Sequence, residues 1–276
     1  MGASTPLSRR TFLASTAATL CAAPEHAMAQ PTAAAPSGVK ALVFDTFGTV
    51  VDWRTSVTQE VASLAARKNI RVDAVTFADA WRAGYAPAMN RVRTGDVPWT
   101  KLDGLHRIIL DQLLKDFGLV GQLSEPDIED LNRAWHRLHP WPDSVGGLQR
   151  LKKKFIIAPL SNGNISLMTN LAKFAGLPWD CILGAELARH YKPDPEVYQS
   201  AAAFLDLQVN QIMMVAAHLG DLNAAKRVGL RTAFVVRPLE FGPTGQSPDG
   251  KADLRPDAAV DLSAKDFNDL AMQLGA

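Results

Sequence analysis

The chain has 276 residues, of which 47% are hydrophobic and 21% charged, with a formal net charge of +1 and a pI near 7.8. This composition is typical of a globular protein long enough for one large domain or two smaller ones. The near-neutral charge gives no electrostatic basis for binding nucleic acid or a membrane surface. The sequence contains no internal repeat and no apolar run long enough to span a bilayer.

The first 29 residues have the features of an export signal. Residues 8–13 are SRRTFL, a twin-arginine pattern, and an apolar stretch and an Ala-Met-Ala sequence at 27–29 follow it. The sequence therefore predicts a twin-arginine signal peptide that is cleaved after Ala29, export to the bacterial periplasm, and a linker over residues 30–37. A disordered tail is the alternative interpretation.

The sequence has two cysteines, one of them inside the predicted signal. Cys21 would leave with the signal, and its neighbours Thr19 and Leu20 do not suit a lipid-attachment site, so no membrane anchoring is expected after cleavage. The mature chain would keep only Cys181. No intramolecular disulfide is therefore expected, even in the oxidising periplasm.

Four short apolar runs are typical of strands that are buried on both faces. They are KALVFD at 40–45, KFIIAPLS at 154–161, QIMMVAA at 211–217 and RTAFVV at 231–236. Helical patterns with capping residues lie between them. Asn164 and Asp194 are predicted N-caps, Gly176 is a predicted helix end, and Asp221 is predicted to precede a helix. The alternation predicts an α/β fold with a Rossmann-like parallel sheet, which binds ligands at the carboxyl ends of its strands.

Residues 55–139, called the inserted segment below, show helical periodicity and no convincing strand. Apolar residues recur there at helical spacing, for example Val57, Val61 and Leu64. Because the segment begins soon after Asp45, it is predicted to be a helical cap subdomain that closes over the site like a lid. Simple packing of these helices on the sheet is the alternative.

Four short motifs end or follow the predicted strands. They are Asp45-Thr46-Phe47-Gly48-Thr49, Leu160-Ser161-Asn162-Gly163, Tyr191-Lys192-Pro193-Asp194, and the Asp221 that follows the third strand. In this order they resemble the haloacid dehalogenase superfamily, and most closely its type II members, the L-2-haloacid dehalogenases. The resemblance covers essentially the whole chain after the signal. It implies a core domain of residues 38–54 and 140–276 with the cap at 55–139.

The same superfamily contains Mg²⁺-dependent phosphatases, and two features of this chain disfavour that activity. In the phosphatases an aspartate at the position of Asp45 is the nucleophile, and an acid two residues later protonates the leaving alkoxide. In this chain that second position is Phe47. A halide leaves without a proton, so an aromatic residue can line an apolar pocket instead. Phosphatases also carry an acidic metal ligand four or five residues before the position of Asp221, where this chain has Ala217 and Ala216. No metal or other cofactor is therefore expected.

The resemblance implies a mechanism centred on Asp45. This carboxylate would displace halide from the substrate carbon with inversion, and water would then hydrolyse the aspartyl ester and release a 2-hydroxy acid. Lys192 is predicted to keep the buried Asp45 ionised and aimed, rather than being a solvated loop lysine. Thr49 is predicted to brace the Asp45 loop, and Asp221 to orient the hydrolytic water.

Further residues are implied to bind the substrate. Arg82 and Asn162 match the residues that hold the leaving halide, although a lone helix arginine is often a solvated surface residue. Ser161 and the backbone at Thr46 and Phe47 would hold the substrate carboxylate. Tyr198 matches an active-site tyrosine of the family but could equally belong to the core.

The fourth motif departs from the type II pattern of serine, asparagine, tryptophan and aspartate. His218 replaces the asparagine and Gly220 the tryptophan, whereas Asp221 is retained. Neutral imidazole can both donate and accept, so His218 is predicted to hold the hydrolytic water beside Asp221. Ester hydrolysis is then predicted to fall below about pH 6.5, where imidazole becomes protonated. A histidine that merely packs against the cap is the alternative.

Three functions stay open at this point. The first is a metal-independent dehalogenase of short 2-haloalkanoic acids. The second is a related aspartyl-ester hydrolase that acts on another electrophilic carbon, such as a strained ring amino acid. The third is a binding protein that has lost turnover, and a Mg²⁺-dependent phosphatase is the disfavoured fourth reading. The expected partner is a small-molecule substrate and not nucleic acid, and a homodimer is left open.

Overall fold

The computed structural model describes residues 1–2, 38–247 and 250–276. The described residues from Gly38 onward belong to one compact unit. The predicted signal, its cleavage point and the linker lie outside the described residues, apart from Met1 and Gly2. Among the residues that the structure describes, no helix is both long and apolar enough to cross a membrane.

The compact unit is built on a parallel sheet of six strands. The strands in chain order are β1 (Ala41–Phe44), β2 (Val51–Asp52), β3 (His139–Pro140), β4 (Ile156–Ser161), β5 (Leu183–Gly184), β6 (Ile212–Ala216), β7 (Arg231–Val235), β8 (Gln246–Ser247), β9 (Gly250–Lys251) and β10 (Leu262–Ala264). The sheet order is β10-β7-β6-β1-β4-β5, and every pairing in it is parallel. Two short antiparallel pairs, β2 with β3 and β8 with β9, lie outside it.

The four predicted strands correspond to β1, β4, β6 and β7. Successive residues of β1 belong to different apolar clusters: Leu42 and Phe44 to one, Ala41 and Val43 to the other. Both faces of the sheet are thus covered, which explains the continuous apolar runs in the sequence. The predicted α/β fold class is confirmed.

Eleven α-helices and two 3₁₀ turns accompany the strands in the described part of the chain. The helices are α1 (Trp53–Lys68), α2 (Ala74–Ala83), α3 (Tyr85–Arg93), α4 (Leu102–Asp116), α5 (Glu125–Asn132), α6 (Ser144–Leu151), α7 (Ile165–Ala175), α8 (Ala185–Ala188), α9 (Pro195–Leu205), α10 (Leu219–Val228) and α11 (Phe267–Gln273). The 3₁₀ turns are Arg133–His136 and Val209–Gln211.

The inserted segment consists of α1 to α5 and the first 3₁₀ turn. Its predicted apolar face, Val57, Val61 and Leu64, is buried. The pairing of β2 with β3 brings the two ends of the segment together, so the chain leaves and re-enters the sheet domain at one place. The exact boundaries of a cap subdomain, and its movement as a lid, stay predictions.

Two predicted N-caps hold the expected positions but use their side chains differently. Asn164 precedes α7, yet its Nδ2 donates to Asp103 Oδ2 at 2.9 Å, on α4. Asp194 precedes α9, and its Oδ1 accepts from Arg93 Nε at 2.8 Å, on α3. Both side chains therefore join the inserted segment to the sheet domain instead of capping their own helices.

The expectation that Asp221 precedes its helix is wrong. Helix α10 begins at Leu219, with His218 at the N-cap position, and Asp221 lies in the first turn. The positive end of the helix dipole favours a carboxylate there. The same short turn therefore holds both His218 and Asp221.

Candidate active site

The candidate site lies where three neighbouring strands end. Strand β1 is at the centre of the sheet between β4 and β6, and the three strands end at Phe44, Ser161 and Ala216. Because the strands are parallel, the residues that follow them meet at one edge, the usual ligand site of such sheets. Asp45 and Asn162 follow directly on two of these strands.

A cavity of about 270 Å³ opens at this edge. It is lined by Asp45, Phe47, Arg82, Tyr85, Asn162, Lys192, Pro193, Tyr198, His218, Gly220 and Asp221. Most of the residues predicted for the site are in this lining. Thr46, Thr49 and Ser161 are buried and do not line the cavity as the structure describes it.

Asp45 is held by three donors. Its Oδ1 accepts from Lys192 Nζ at 2.9 Å, and its Oδ2 accepts from Thr49 Oγ1 at 2.8 Å and lies 3.0 Å from His218 Nδ1. Burial raises the pKa of Asp45, but the charges of Lys192 and His218 and their hydrogen bonds outweigh it and hold the pKa well below its usual value. The carboxylate is therefore ionised at neutral pH and needs no base to become a nucleophile.

Lys192 joins the two acidic residues of the site. Its Nζ also donates to Asp221 Oδ2 at 2.6 Å, and its backbone N–H donates to Asn162 Oδ1 at 2.8 Å. Burial lowers the pKa of Lys192, but the two carboxylates outweigh it and raise the pKa above its usual value. Lys192 is thus a buried ammonium shared by Asp45 and Asp221, and the alternative of a solvated loop lysine is wrong.

Asp221 has a second donor in Tyr198, whose hydroxyl donates to Asp221 Oδ1 at 2.6 Å. Burial and the nearby Asp45 raise the pKa of Asp221, while Lys192 lowers it, with a net shift upward. Burial and the Asp221 charge raise the pKa of Tyr198. Tyr198 is fully buried and also lines the cavity, so it belongs to both the core and the site.

Thr49 joins the Asp45 loop to the residue that follows strand β6. The backbone N–H of Ala217 donates to Thr49 Oγ1 at 2.9 Å. Because the ionised Asp45 carboxylate can only accept, the Thr49 hydroxyl donates its own proton to Asp45 Oδ2. The contact is the one expected of a residue that braces the Asp45 loop.

Arg82, at the end of α2, lies over an aromatic wall of the cavity. Its guanidinium carbon is 4.2 Å from the centroid of the Tyr85 ring and 5.5 Å from that of Trp53. Its Nη1 is buried and has no hydrogen-bond partner among the described residues. A buried, unpaired guanidinium nitrogen beside a cavity is suited to bind an anion.

Phe47 lines the cavity, and only 3% of its surface is exposed. Its ring meets Tyr85 and Trp135 edge-on, at centroid distances of 6.3 Å and 5.8 Å. The side chain therefore provides an apolar wall at the position where phosphatases need an acid.

Two predicted contacts to the substrate carboxylate are less direct. Ser161 Oγ accepts from the backbone N–H of Gly163 at 3.1 Å, and Thr46 Oγ1 is buried without a partner among the described residues. Neither side chain lines the cavity. The backbone at Thr46 and Phe47 remains the predicted carboxylate contact.

His218 differs from the expectation in its charge. Its Nδ1 lies 3.0 Å from Asp45 Oδ2, and its Nε2 lies 2.9 Å from each carboxylate oxygen of Glu240. Burial lowers its pKa, but the two carboxylates raise it well above 6.5. The neutral imidazole that the sequence predicts therefore disagrees with the two carboxylates that flank it in the free protein, and the pH dependence predicted for ester hydrolysis stays a prediction. An imidazole that is protonated at both nitrogens could not accept a hydrogen bond from a water.

Two residues of the site escaped the sequence analysis. Tyr85 falls at helical spacing and reads as a core residue, whereas it lines the cavity beside Arg82. Glu240 is in the loop after β7 and is 1% exposed, and its Oε1 accepts from Trp53 Nε1 at 3.2 Å. No local motif marks Glu240, because its partners are far away in the sequence.

Comparison with known proteins points to one enzyme family. The profile of the haloacid dehalogenase-like hydrolases matches residues 39–229. The (S)-2-haloacid dehalogenase 1 of Pseudomonas sp. (strain CBS-3) is 30% identical over 218 residues, which cover 74% of this chain and 88% of that protein.

Solved structures agree as well. That of the defluorinating L-2-haloacid dehalogenase Rha0230 has 50% identity and a TM-score of 0.82, covering 86% of this chain and 96% of that one. That of the L-2-haloacid dehalogenase PA0810 has 47% identity and a TM-score of 0.79, covering 86% of this chain and all of that one (100%).

Proposed function

The chain belongs to the haloacid dehalogenase-like hydrolases, and we propose that it converts short 2-haloalkanoic acids to 2-hydroxy acids through an ester on Asp45, without a metal ion. The observation that carries the proposal is the ionised Asp45 at the wall of a small cavity that also contains the unpaired Arg82 guanidinium. A nucleophile and an anion site share one cavity. Those are the two parts that displacement of a halide requires.

In the first step one Asp45 oxygen attacks the halogen-bearing carbon, and the carbon–halogen bond breaks with inversion. Arg82 and Asn162 would receive the halide. In the second step water adds to the Asp45 carboxyl carbon of the ester, and the 2-hydroxy acid leaves. Asp221, held by Lys192 and Tyr198, is the carboxylate available to take a proton from that water.

The residues present do not fit a catalytic Mg²⁺. Positions 216 and 217 are buried alanines, whose side chains have no ligand atom. The two carboxylates of the site, Asp45 and Asp221, share the Lys192 ammonium between them, which already supplies the positive charge. Among the described residues, one group of side chains has ligand atoms close enough to hold a metal ion: His190, Asp194 and Glu196. None of the three lines the cavity.

The test is a halide-release screen on the purified mature protein with both enantiomers of 2-chloro-, 2-bromo- and 2-fluoropropionate and with the haloacetates. The fluorinated acids belong in the panel because the relative with 50% identity is named as defluorinating. Halide released from (S)-2-chloropropionate, together with (R)-lactate, is the expected result. Failure with every haloacid would leave ester chemistry on another electrophilic carbon, or binding without turnover.

A further inference from the structure

His218 and Thr49 converge on one atom of the nucleophile. Thr49 Oγ1 is 2.8 Å from Asp45 Oδ2, and His218 Nδ1 is 3.0 Å from the same oxygen. The other oxygen, Oδ1, has Lys192 as its donor. The two carboxylate oxygens of Asp45 therefore have different hydrogen-bond donors before any substrate binds.

Glu240 holds the far side of the imidazole. Both of its carboxylate oxygens lie 2.9 Å from His218 Nε2, and Trp53 Nε1 donates to one of them at 3.2 Å. Gly48 leaves the space for this carboxylate: at φ +87° a β-carbon there would lie 2.1 Å from Glu240 Oε1. The acid, the imidazole and Asp45 Oδ2 thus form a chain in which each imidazole nitrogen faces a carboxylate, an arrangement that suits an imidazole protonated at both nitrogens.

We infer that Thr49 and the His218 imidazolium form an oxyanion hole for hydrolysis of the Asp45 ester, and that Glu240 is the positioning residue that keeps His218 charged. The inference rests on the proposed function, because it needs the ester. In it Oδ1 attacks the substrate and Oδ2 becomes the ester carbonyl oxygen. Donors 2.7 to 3.1 Å from the developing oxyanion are the geometry that such a hole requires.

Hydrolysis of the Asp45 ester then proceeds by addition of water followed by loss of the product alkoxide. The water oxygen bonds to Cγ, and the π electrons of the carbonyl move onto Oδ2, where Thr49 and His218 stabilise the negative charge. The electron pair returns, the Cγ–Oδ1 bond breaks, and the alkoxide takes up, through Asp221, the proton that the water lost. The remaining proton of the new Asp45 carboxyl goes to solvent, so one proton is released per turnover.

The charged groups that face His218 explain why it stays a donor. In the free enzyme they are Asp45 and Glu240, and Lys192 and Asp221 continue the network from Asp45 Oδ1. When the ester forms, Asp45 loses its charge and Glu240 alone keeps the imidazolium. Ester hydrolysis should therefore fall at alkaline pH, as His218 loses its proton, whereas an acidic limb would belong to Asp221, the carboxylate that takes the proton of the water.

The test uses rapid-quench kinetics with (S)-2-chloropropionate over pH 5 to 10, which separates the halide burst from ester hydrolysis. In Glu240→Gln we expect the burst to persist and the alkaline limb of hydrolysis to move to lower pH, toward the ordinary histidine pKa of about 6.5. Hydrolysis at pH 8.5 should fall about tenfold or more, and the ester should accumulate on Asp45 in intact-mass spectra. Glu129→Gln, an exposed carboxylate on α5, is the matched control and should leave both phases unchanged.

His218→Asn is the second variant, needed in case Glu240→Gln does not fold. A neutral amide keeps a donor but cannot lose a proton, so the alkaline limb should disappear while hydrolysis slows. An unchanged profile in Glu240→Gln, or an acidic limb in the wild type that these variants move, would overturn the inference and make His218 a base or a packing residue. A wild type without a halide burst would instead overturn the proposed function, and this inference with it.

Discussion

The Lys192 ammonium lies 2.9 Å from Asp45 Oδ1 across 147 positions of sequence. Burial alone would raise the pKa of Asp45, and the charges of Lys192 and His218 outweigh it. The contact therefore keeps a buried carboxylate ionised and gives it a fixed direction. Removing either partner would leave the other charge buried and less well compensated.

Replacing Lys192 tests this relationship. In Lys192→Met the pKa of Asp45 should rise, so the acidic limb of the halide burst should move from below about pH 4 to higher pH. At pH 7 we expect the burst rate to fall by about 100-fold or more. Lys173→Met, an exposed lysine on α7, is the control. A burst with an unchanged acidic limb would remove Lys192 from the activation of Asp45.

The ester can be tested at Asp45 itself. Asp45→Asn should abolish halide release, because an amide is a far poorer nucleophile than a carboxylate. For the wild type in H₂¹⁸O under single-turnover conditions, mass spectrometry of peptides should find the label in Asp45 and not in the first product. Label in that product would mean that water attacks the substrate carbon directly.

Metal independence is proposed from the alanines at 216 and 217. Halide release should survive saturating EDTA unchanged within error and gain nothing from added Mg²⁺. p-Nitrophenyl phosphate with Mg²⁺ is the comparison substrate, and it should not be hydrolysed. Strict Mg²⁺ dependence with that substrate would restore the phosphatase interpretation.

Arg82 is expected to bind the leaving halide. Arg82→Gln removes the half-buried cation, so we expect kcat/KM to fall by about 100-fold and inhibition by added chloride or bromide to disappear. Arg91→Gln, an exposed arginine on α3, is the control. Halide inhibition that persists in Arg82→Gln would place the halide elsewhere in the cavity.

Export is proposed from the sequence alone. Replacing Arg9 and Arg10 by lysine should retain the precursor in the cytoplasm, because the twin-arginine pattern would be lost. Cell fractionation and the N-terminal sequence of the periplasmic protein are the measurements, with cleavage expected after Ala29. Mature protein at normal periplasmic levels in the double variant would require another export route.

Much of the fold could be predicted because it is encoded locally. A strand covered on both faces must be apolar throughout, so β1, β4, β6 and β7 stand out as short apolar runs. Strand–helix alternation then leads to a parallel sheet, whose ligand edge is at the carboxyl ends of the strands. The motif residues Asp45, Lys192 and Asp221 are also local signals, and their short contacts follow from that shared edge.

Only the tertiary structure decided the charge of the site. Glu240 contacts Trp53, 187 positions away in the sequence, and His218, 22 positions away. No local sequence pattern predicts contacts over such separations. The sequence predicts a neutral imidazole at His218, whereas in the folded chain two carboxylates from separate segments meet its two nitrogens and raise its pKa. Local patterns determine which faces are buried, whereas the pKa of a group depends on the charges that folding brings within a few ångströms of it.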